Sequence, residues 1–216
     1  VNTLAEENYL KSIYHLSLNA VNVSTNQIAV SLNTSAASVT DMLKKLADKQ
    51  LINYTRYQGV SLTPEGEKIA VHIIRKHRLW EYFLVEKLDF KWDEVHEMAE
   101  ELEHISSKEL VDRLDNFMGY PKYDPHGDPI PDINGNFKMH ELKPVSATVV
   151  NEVGVISGVR DHTPAFLQYL EKQQLTIGKK IKVTEIIDYD HSMILQLDNN
   201  KVHISREVAN NLLIAV

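Results

Sequence analysis

Hydrophobic positions in the first fifty residues repeat every three or four places, the period of helices. Over residues 6–18, Tyr9, Leu10, Ile13, Tyr14 and Leu16 fall close to one stripe. Ser24 or Thr25 can cap a second helix over residues 26–32, carrying Ile28, Ala29 and Leu32. Asn33-Thr34-Ser35 interrupts it. Thr34 or Ser35 can then start a third helix reaching about Lys49, with Val39, Met42, Leu43 and Leu46 inward. The pattern next changes to strand, turn, strand over residues 51–55, 56–59 and 60–63. Thr63-Pro64-Glu65-Gly66-Glu67 opens a long helix to residue 88, with a capping Thr, Pro in the first turn and acids near the positive end. Residues 92–116 read as one further helix with Val95, Met98, Leu102, Ile105, Leu110 and Leu114 apolar. Residues 119–144 contain Asp124-Pro125-His126-Gly127-Asp128-Pro129-Ile130-Pro131 and read as a linker. Beyond it, apolar runs at 148–157, 181–183, 193–197 and 202–205 surround one helix at 164–171. Short strands in about 70 residues predict a small β-barrel.

Two short helices joined by a three-residue turn form a helix-turn-helix unit. The third helix begins with an exposed set, Ser35, Ala37, Ser38, Thr40 and Asp41, followed by Lys44. Small and hydroxyl side chains there allow close approach to a groove and to phosphates. A hairpin with Arg56 and Tyr57 at its tip comes next, the layout of a winged helix. Arg56 and Tyr57 are expected on the backbone or in the minor groove. This order of elements predicts binding to double-stranded DNA.

Charge refines that picture. Residues 1–62 carry five Lys/Arg against four Asp/Glu, residues 63–144 eleven against eighteen, and residues 145–216 seven against eight. One copy of the head neutralises few phosphates, so useful affinity needs two copies. The acidic middle argues against wrapping nucleic acid with the whole surface and suits a segment that collects cations. Composition is that of a globular chain, 43% hydrophobic and 25% charged, and no apolar stretch approaches a membrane span. No leader pattern is visible, and a cytoplasmic location is expected. Cysteine is absent, which excludes disulfides, zinc ribbons, iron–sulfur clusters and thiol catalysis.

Any metal must therefore be held by oxygen and nitrogen. His96, Glu100, Glu103 and His104, at offsets 0, 4, 7 and 8, would share one face of the helix expected over 92–116. On the preceding helix His77 and Glu81 are four apart. Oxygen-rich ligation without sulfur suits Mn2+ or Fe2+, although Zn2+ would bind the same donors. Two other readings compete. Glu101-Leu102-Glu103-His104 has the Glu-x-x-His spacing of carboxylate–histidine metalloenzymes, but no nucleophile or phosphate loop accompanies it, so a non-enzyme is expected. A winged-helix regulator that binds an organic ligand is the other.

The chain resembles the diphtheria toxin repressor family of metal-dependent transcriptional regulators, especially its manganese-sensing branch. The resemblance is carried by Glu7-Asn8-Tyr9-Leu10-Lys11-Ser12-Ile13-Tyr14, Ser38-Val39-Thr40, Arg75-Lys76-His77-Arg78-Leu79, Val95-His96-Glu97-Met98-Ala99-Glu100, Glu103-His104 and Pro125-His126-Gly127 with Pro129-Ile130-Pro131. It implies a mainly α fold with β: a winged helix-turn-helix over residues 1–63, a helical dimerisation and metal-binding domain over 64–118, a linker over 119–144 and an SH3-like β-barrel over 145–216. It also implies a homodimer that represses metal-uptake genes from a palindromic operator when Mn2+ (or Fe2+) binds. The primary metal site implied is Asn8, Glu100, Glu103 and His104. Asn8 departs from the Asp of manganese sensors and the Met of iron sensors, and its amide brings no charge. Lys11 stands where some manganese sensors carry the Glu that completes a closely spaced metal pair. A second site is implied either at His77, Glu81 and His96 or at Glu81, Asp124, His126 and Asp161, the last from the barrel.

Overall fold

The structure is a computed structural model that describes residues 2–18, 20, 22–55, 58–105, 107–138 and 141–216. Its chain gathers into two compact units. One comprises Val1–His77, Leu102–Val111 and Pro131–Asn136; the other comprises Arg78–Glu101, Asp112–Ile130 and Phe137–Val216.

In the first unit the predicted helices form as α1 (Leu4–Ser17), α2 (Thr25–Ser31) and α3 (Ala36–Asp48). Capping fixes their starts. Thr3 with Glu6, and Ser24 with Gln27, form reciprocal capping boxes, and the Ser35 hydroxyl accepts the Ser38 N–H. Asn33 takes a left-handed conformation (φ 46°) that ends the turn between α2 and α3. Strands β1 (Ile52–Thr55) and β2 (Gly59–Leu62) pair antiparallel, Ile52 opposite Leu62. Leu10, Ile13, Ile28, Val39, Leu43, Leu46 and Val60 form a core with no exposure. Most positions of the apolar stripes read from the sequence lie in it or pack against it. Helix α4 (Pro64–Leu88) starts where Thr63 Oγ1 accepts the Gly66 N–H at 3.2 Å.

The single helix expected over residues 92–116 is two: α5 (Val95–Leu102) and α6 (Lys108–Phe117). Ser107 Oγ accepts the Leu110 N–H at 3.3 Å, a fresh cap that competes with helix continuation. Glu103 and His104 consequently lie in the intervening turn, while His96 and Glu100 stay on α5. The four do not share one helical face. Glu101 is exposed, so Glu101 and His104 do not form the inward Glu-x-x-His pair that a metalloenzyme bundle requires.

The second unit ends in a six-stranded antiparallel sheet, order β3-β8-β4-β5-β6-β7. Its strands are β3 (Lys143–Pro144), β4 (Val153–Val159), β5 (Lys180–Ile186), β6 (Met193–Leu197), β7 (Asn200–Ile204) and β8 (Leu212–Ala215). Helices α7 (Pro164–Lys172) and α8 (Arg206–Asn211) connect them. The strand expected from residue 148 starts at Val153, because residues 149–152 form a turn in which the Glu152 N–H donates to the Val149 carbonyl and Asn151 has φ 72°. Alternation is clean in β6, where Met193, Leu195 and Leu197 point inward. Irregular pairing at Ile156/Gly158 and Val183/Glu185 bends the sheet toward closure. Trp92 and Val85 join this core from the helical part of the same unit. Among the described residues no helix is long and apolar enough to cross a membrane.

Candidate metal centres and nucleic-acid face

Helix α3 buries Val39, Leu43 and Leu46 and leaves Ser35, Ala37, Ser38, Asp41 and Lys44 exposed. Thr40 is half-buried and donates its hydroxyl to the Ala36 carbonyl at 2.9 Å. The Lys44 ammonium is 3.2 Å from Asp41, both exposed, so that pair contributes little and leaves Lys44 available to a phosphate. A polar cleft of about 470 Å3 opens between α2, α3 and the hairpin. Asn26, Thr40, Tyr54 and Gln58 line it, and only Thr40 is among the residues expected from the sequence. Arg56 and Tyr57 lie outside the described residues.

The first unit collects one set of predicted metal donors. Asn8 Oδ1, one turn into α1, is buried with no hydrogen-bond partner. One turn later the Lys11 ammonium donates to Glu103 Oε1 at 2.6 Å. His77 Nδ1 is 2.6 Å from Glu103 Oε2, and His104 Nε2 is 3.6 Å from Glu103 Oε1. His104 Nδ1 meets Glu7 Oε2 at 2.8 Å. Glu103 has zero exposure. Burial works to raise its pKa, but the His77 hydrogen bond and the Lys11 charge outweigh it and hold the carboxyl below its ordinary value. Lys76 is depressed by burial, against the opposing pull of Glu7 and Glu103. A buried, orphaned amide oxygen on α1 and a buried carboxylate in contact with two imidazoles are donor types that a hard or borderline divalent ion fits. A carboxylate at position 11 would bring a further oxygen donor; here the Lys11 ammonium instead answers one Glu103 oxygen. Glu100 belongs to the second unit, exposed on α5 with His96 Nε2 3.7 Å away.

The second unit gathers Glu81, Asp124 and His126, all buried, with donor atoms within 4.8 Å of one another. Helix α4 presents Glu81. Asp124 is locked by a tight turn in which its Oδ1 accepts the N–H groups of His126 and Asp128 at 2.9 and 3.0 Å. His126 Nε2 is 2.8 Å from the Trp92 carbonyl. A carbonyl only accepts, so Nε2 donates there, and Nδ1 is the nitrogen left for a metal once it has lost its proton. That Nδ1 is buried, 3.6 Å from Glu81 Oε2. This is how metal-binding imidazoles are usually oriented, and the three residues fit a divalent ion. In the metal-free protein, burial works to lower His126, but the Glu81 and Asp124 carboxylates prevail and raise it to about 9. Asp124 is raised to about 7 by burial, with Asp128 and Glu81 adding and Arg78 opposing.

Of the alternative second set, Glu81 and His96 meet at 3.4 Å. His77 stands one turn before Glu81 on α4 with its Nδ1 on Glu103. Asp161 is not brought to the centre; its Oδ1 accepts the Thr163 N–H at 2.9 Å, just before α7. Four neighbours escaped the sequence reading. Arg78 binds Asp128 Oδ2 (3.2 Å) and the Pro129 carbonyl (2.6 Å), while Trp92 and His162 flank the His126 ring. Arg78 and Asp128 carry no distinctive spacing, but each lies inside a segment that bore the resemblance or its linker.

Comparison with known proteins agrees with this anatomy. Residues 3–60 match the iron dependent repressor N-terminal DNA binding domain, residues 63–132 the iron dependent repressor metal binding and dimerisation domain, and residues 143–216 the FeoA domain. The HTH-type transcriptional regulator MntR of Oceanobacillus iheyensis is 32% identical over 122 residues, 56% of this chain and 82% of that protein. The iron-dependent repressor IdeR of Mycobacterium tuberculosis is 33% identical over 125 residues. That alignment takes in 58% of this chain and spans only about half, 54%, of IdeR. A solved manganese-dependent transcriptional repressor in complex with manganese superposes with a TM-score of 0.86 at 29% identity, covering 97% of this chain and 99% of that one. The winged head, the helical segment and the barrel thus each have a counterpart, in the same order, and the chain belongs to the iron-dependent repressor family of metal-dependent transcriptional regulators.

Proposed function

We propose that this protein is a Mn2+-responsive repressor that binds palindromic operator DNA as a homodimer, in the cytoplasm, and controls metal-uptake genes. The observation that carries the metal part is His126, buried, with its Nε2 proton donated to the Trp92 carbonyl and its Nδ1 facing the Glu81 carboxylate. The donors at both centres are oxygen and nitrogen with no sulfur, which favours Mn2+ or Fe2+ over softer ions. A bound divalent ion would supply the positive charge that lets several buried donors converge.

The residues do the rest. Asn8, Glu103 and His104 would hold one ion in the first unit; for Glu100 the support is the resemblance alone. Contacts of α1 through Glu7 and Lys11 with His104 and Glu103 tie the reading head to the turn after α5. Strengthening that tie orders the head, so less conformational entropy is lost when DNA binds. Glu81, Asp124 and His126 would hold a second ion. The α3 face from Ser35 to Lys44 would enter the major groove, with Arg56 and Tyr57 at the wing. The domain limits 1–63, 64–118, 119–144 and 145–216 follow from this division of labour.

The test is affinity for a duplex selected by the protein from a randomised pool in Mn2+, measured by fluorescence anisotropy with Mn2+, with Fe2+ under anaerobic conditions, and with chelator. Coupling of about 1–3 kcal/mol, roughly 5–150-fold, is expected between metal and DNA. Equal affinity with Mn2+ and with chelator overturns metal control. A larger gain with Fe2+ than with Mn2+ assigns the response to iron.

A further inference from the structure

The resemblance assigns the barrel's share of the second centre to Asp161, but the structure turns that carboxylate to the start of α7. Its neighbour His162 behaves differently. The His162 ring is stacked on His126, centroids 4.8 Å apart and planes within 22°. Trp92 lies near-parallel to the same His126 ring at 6.2 Å and 18°. His162 Nε2 is directed elsewhere, 3.4 Å from the Val159 carbonyl and 3.9 Å from Asp128 Oδ2. The contact with His126 is therefore made by the ring face. His162 keeps 33% of its side chain exposed while His126 keeps 1%, so His162 is the more solvent-facing of the two stacked rings.

We infer that His162 is the barrel's positioning residue for the Glu81–Asp124–His126 centre, holding the His126 ring by stacking so that Nδ1 stays aimed at the carboxylates. The inference rests on the reading of that centre as a divalent-metal site. Rotation about Cβ–Cγ is the freedom by which the His126 ring could swing Nδ1 away from Glu81, and the Nε2 bond to the Trp92 carbonyl opposes it at one point only. Flat neighbours remove that freedom, and an imidazole face offers the same stacking as other aromatic rings. Asp161 Oδ1 is taken up by the Thr163 N–H in the turn before α7.

The experiment is calorimetric titration of Mn2+ into the full chain. Binding that disappears in Asp124→Ala is assigned to this centre. His162→Ala and His162→Gln, which lack the flat aromatic face, should each weaken that binding by about 10–100-fold, the usual effect of removing an outer partner of a ligand. His162→Phe, which restores a flat face without a nitrogen donor, should return affinity to within about threefold of the wild type. Asp161→Asn should leave it unchanged. Far-ultraviolet circular dichroism checks that each variant is folded without metal. His162→Phe as weak as His162→Ala overturns the inference, because a ring nitrogen would then be acting as the donor. Unchanged binding in both His162→Ala and His162→Gln, or a loss in Asp161→Asn, also overturns it. If Asp124→Ala removes no Mn2+ binding, the centre itself fails as a metal site and the inference falls with it.

Discussion

Gly127→Ala should disconnect His126 from the barrel, and the expected cost can be worked from the backbone. Gly127 has φ +89°, and a Cβ there would stand 2.1 Å from the Ser157 carbonyl oxygen and 2.5 Å from Gly158 Cα. Those atoms belong to β4 and cannot swing aside as a side-chain tip could. The turn must retreat by about 1 Å, an overpacking strain of about 1–3 kcal/mol. A positive φ in a residue with a Cβ adds about 1–2 kcal/mol. The retreat also lengthens the bond from the Val159 N–H to the His126 carbonyl, now 3.1 Å. The total is about 2–5 kcal/mol. Gly178→Ala is the control, since Gly178 has φ +86° with nothing within 4 Å of the added atom, and should lose only the backbone part. Urea unfolding followed by tryptophan fluorescence reports this unit, because both Trp80 and Trp92 belong to it. Mn2+ at a hundred times its Kd should add about 2.7 kcal/mol to the wild type, and distinctly less to Gly127→Ala, whose His126 is displaced. If Gly127→Ala falls within about 1 kcal/mol of Gly178→Ala and keeps the full Mn2+ gain, the close approach does not position the site.

Further predictions concern both units. With His126 raised to about 9 and Asp124 to about 7, both groups must lose protons to become donors. Mn2+ binding at this centre should therefore release about 1.5 protons at pH 7 and tighten about tenfold per unit between pH 7 and 9. Calorimetry in buffers of different ionisation enthalpy measures the release, and none at all would contradict the donor assignment. Lys11→Met strips the ammonium from the fully buried Glu103 and should destabilise the first unit by about 2–4 kcal/mol near neutral pH. The loss should shrink as falling pH protonates Glu103; amide exchange of Leu10 and Ile13 reads it, and unchanged protection would refute it. Lys44→Gln should weaken binding to the selected duplex and reduce the log–log salt slope by about 1; an unaltered slope would remove Lys44 from the phosphate contacts.

The starts of α2, α3 and α4 were legible because caps and apolar spacing act within one or two turns: Ser24, Ser35 and Thr63 cap where a short polar residue precedes a periodic run, whereas the Thr3 cap of α1 went unread. The alternation of Met193, Leu195 and Leu197 identified a half-buried strand for the same reason. The break between α5 and α6 was not legible. Apolar spacing continues across it, and Ser107 is an ordinary helix residue until its hydroxyl takes the Leu110 N–H.

The sequence by itself determined the order of α1, α2, α3, β1, β2 and α4, the sulfur-free donor chemistry and the family, since these depend on residue type and short spacing, but it did not mark β3, α8 or β8. Only the tertiary structure decided which donors meet. Lys11 reaches Glu103 across 92 positions, His126 finds the Trp92 carbonyl across 34, and His162 rather than Asp161 faces the second centre. Local periodicity specifies which face of a helix or strand is buried. It carries no information on which distant side chain will fill the space opposite, and that choice is made when close packing leaves room for one arrangement.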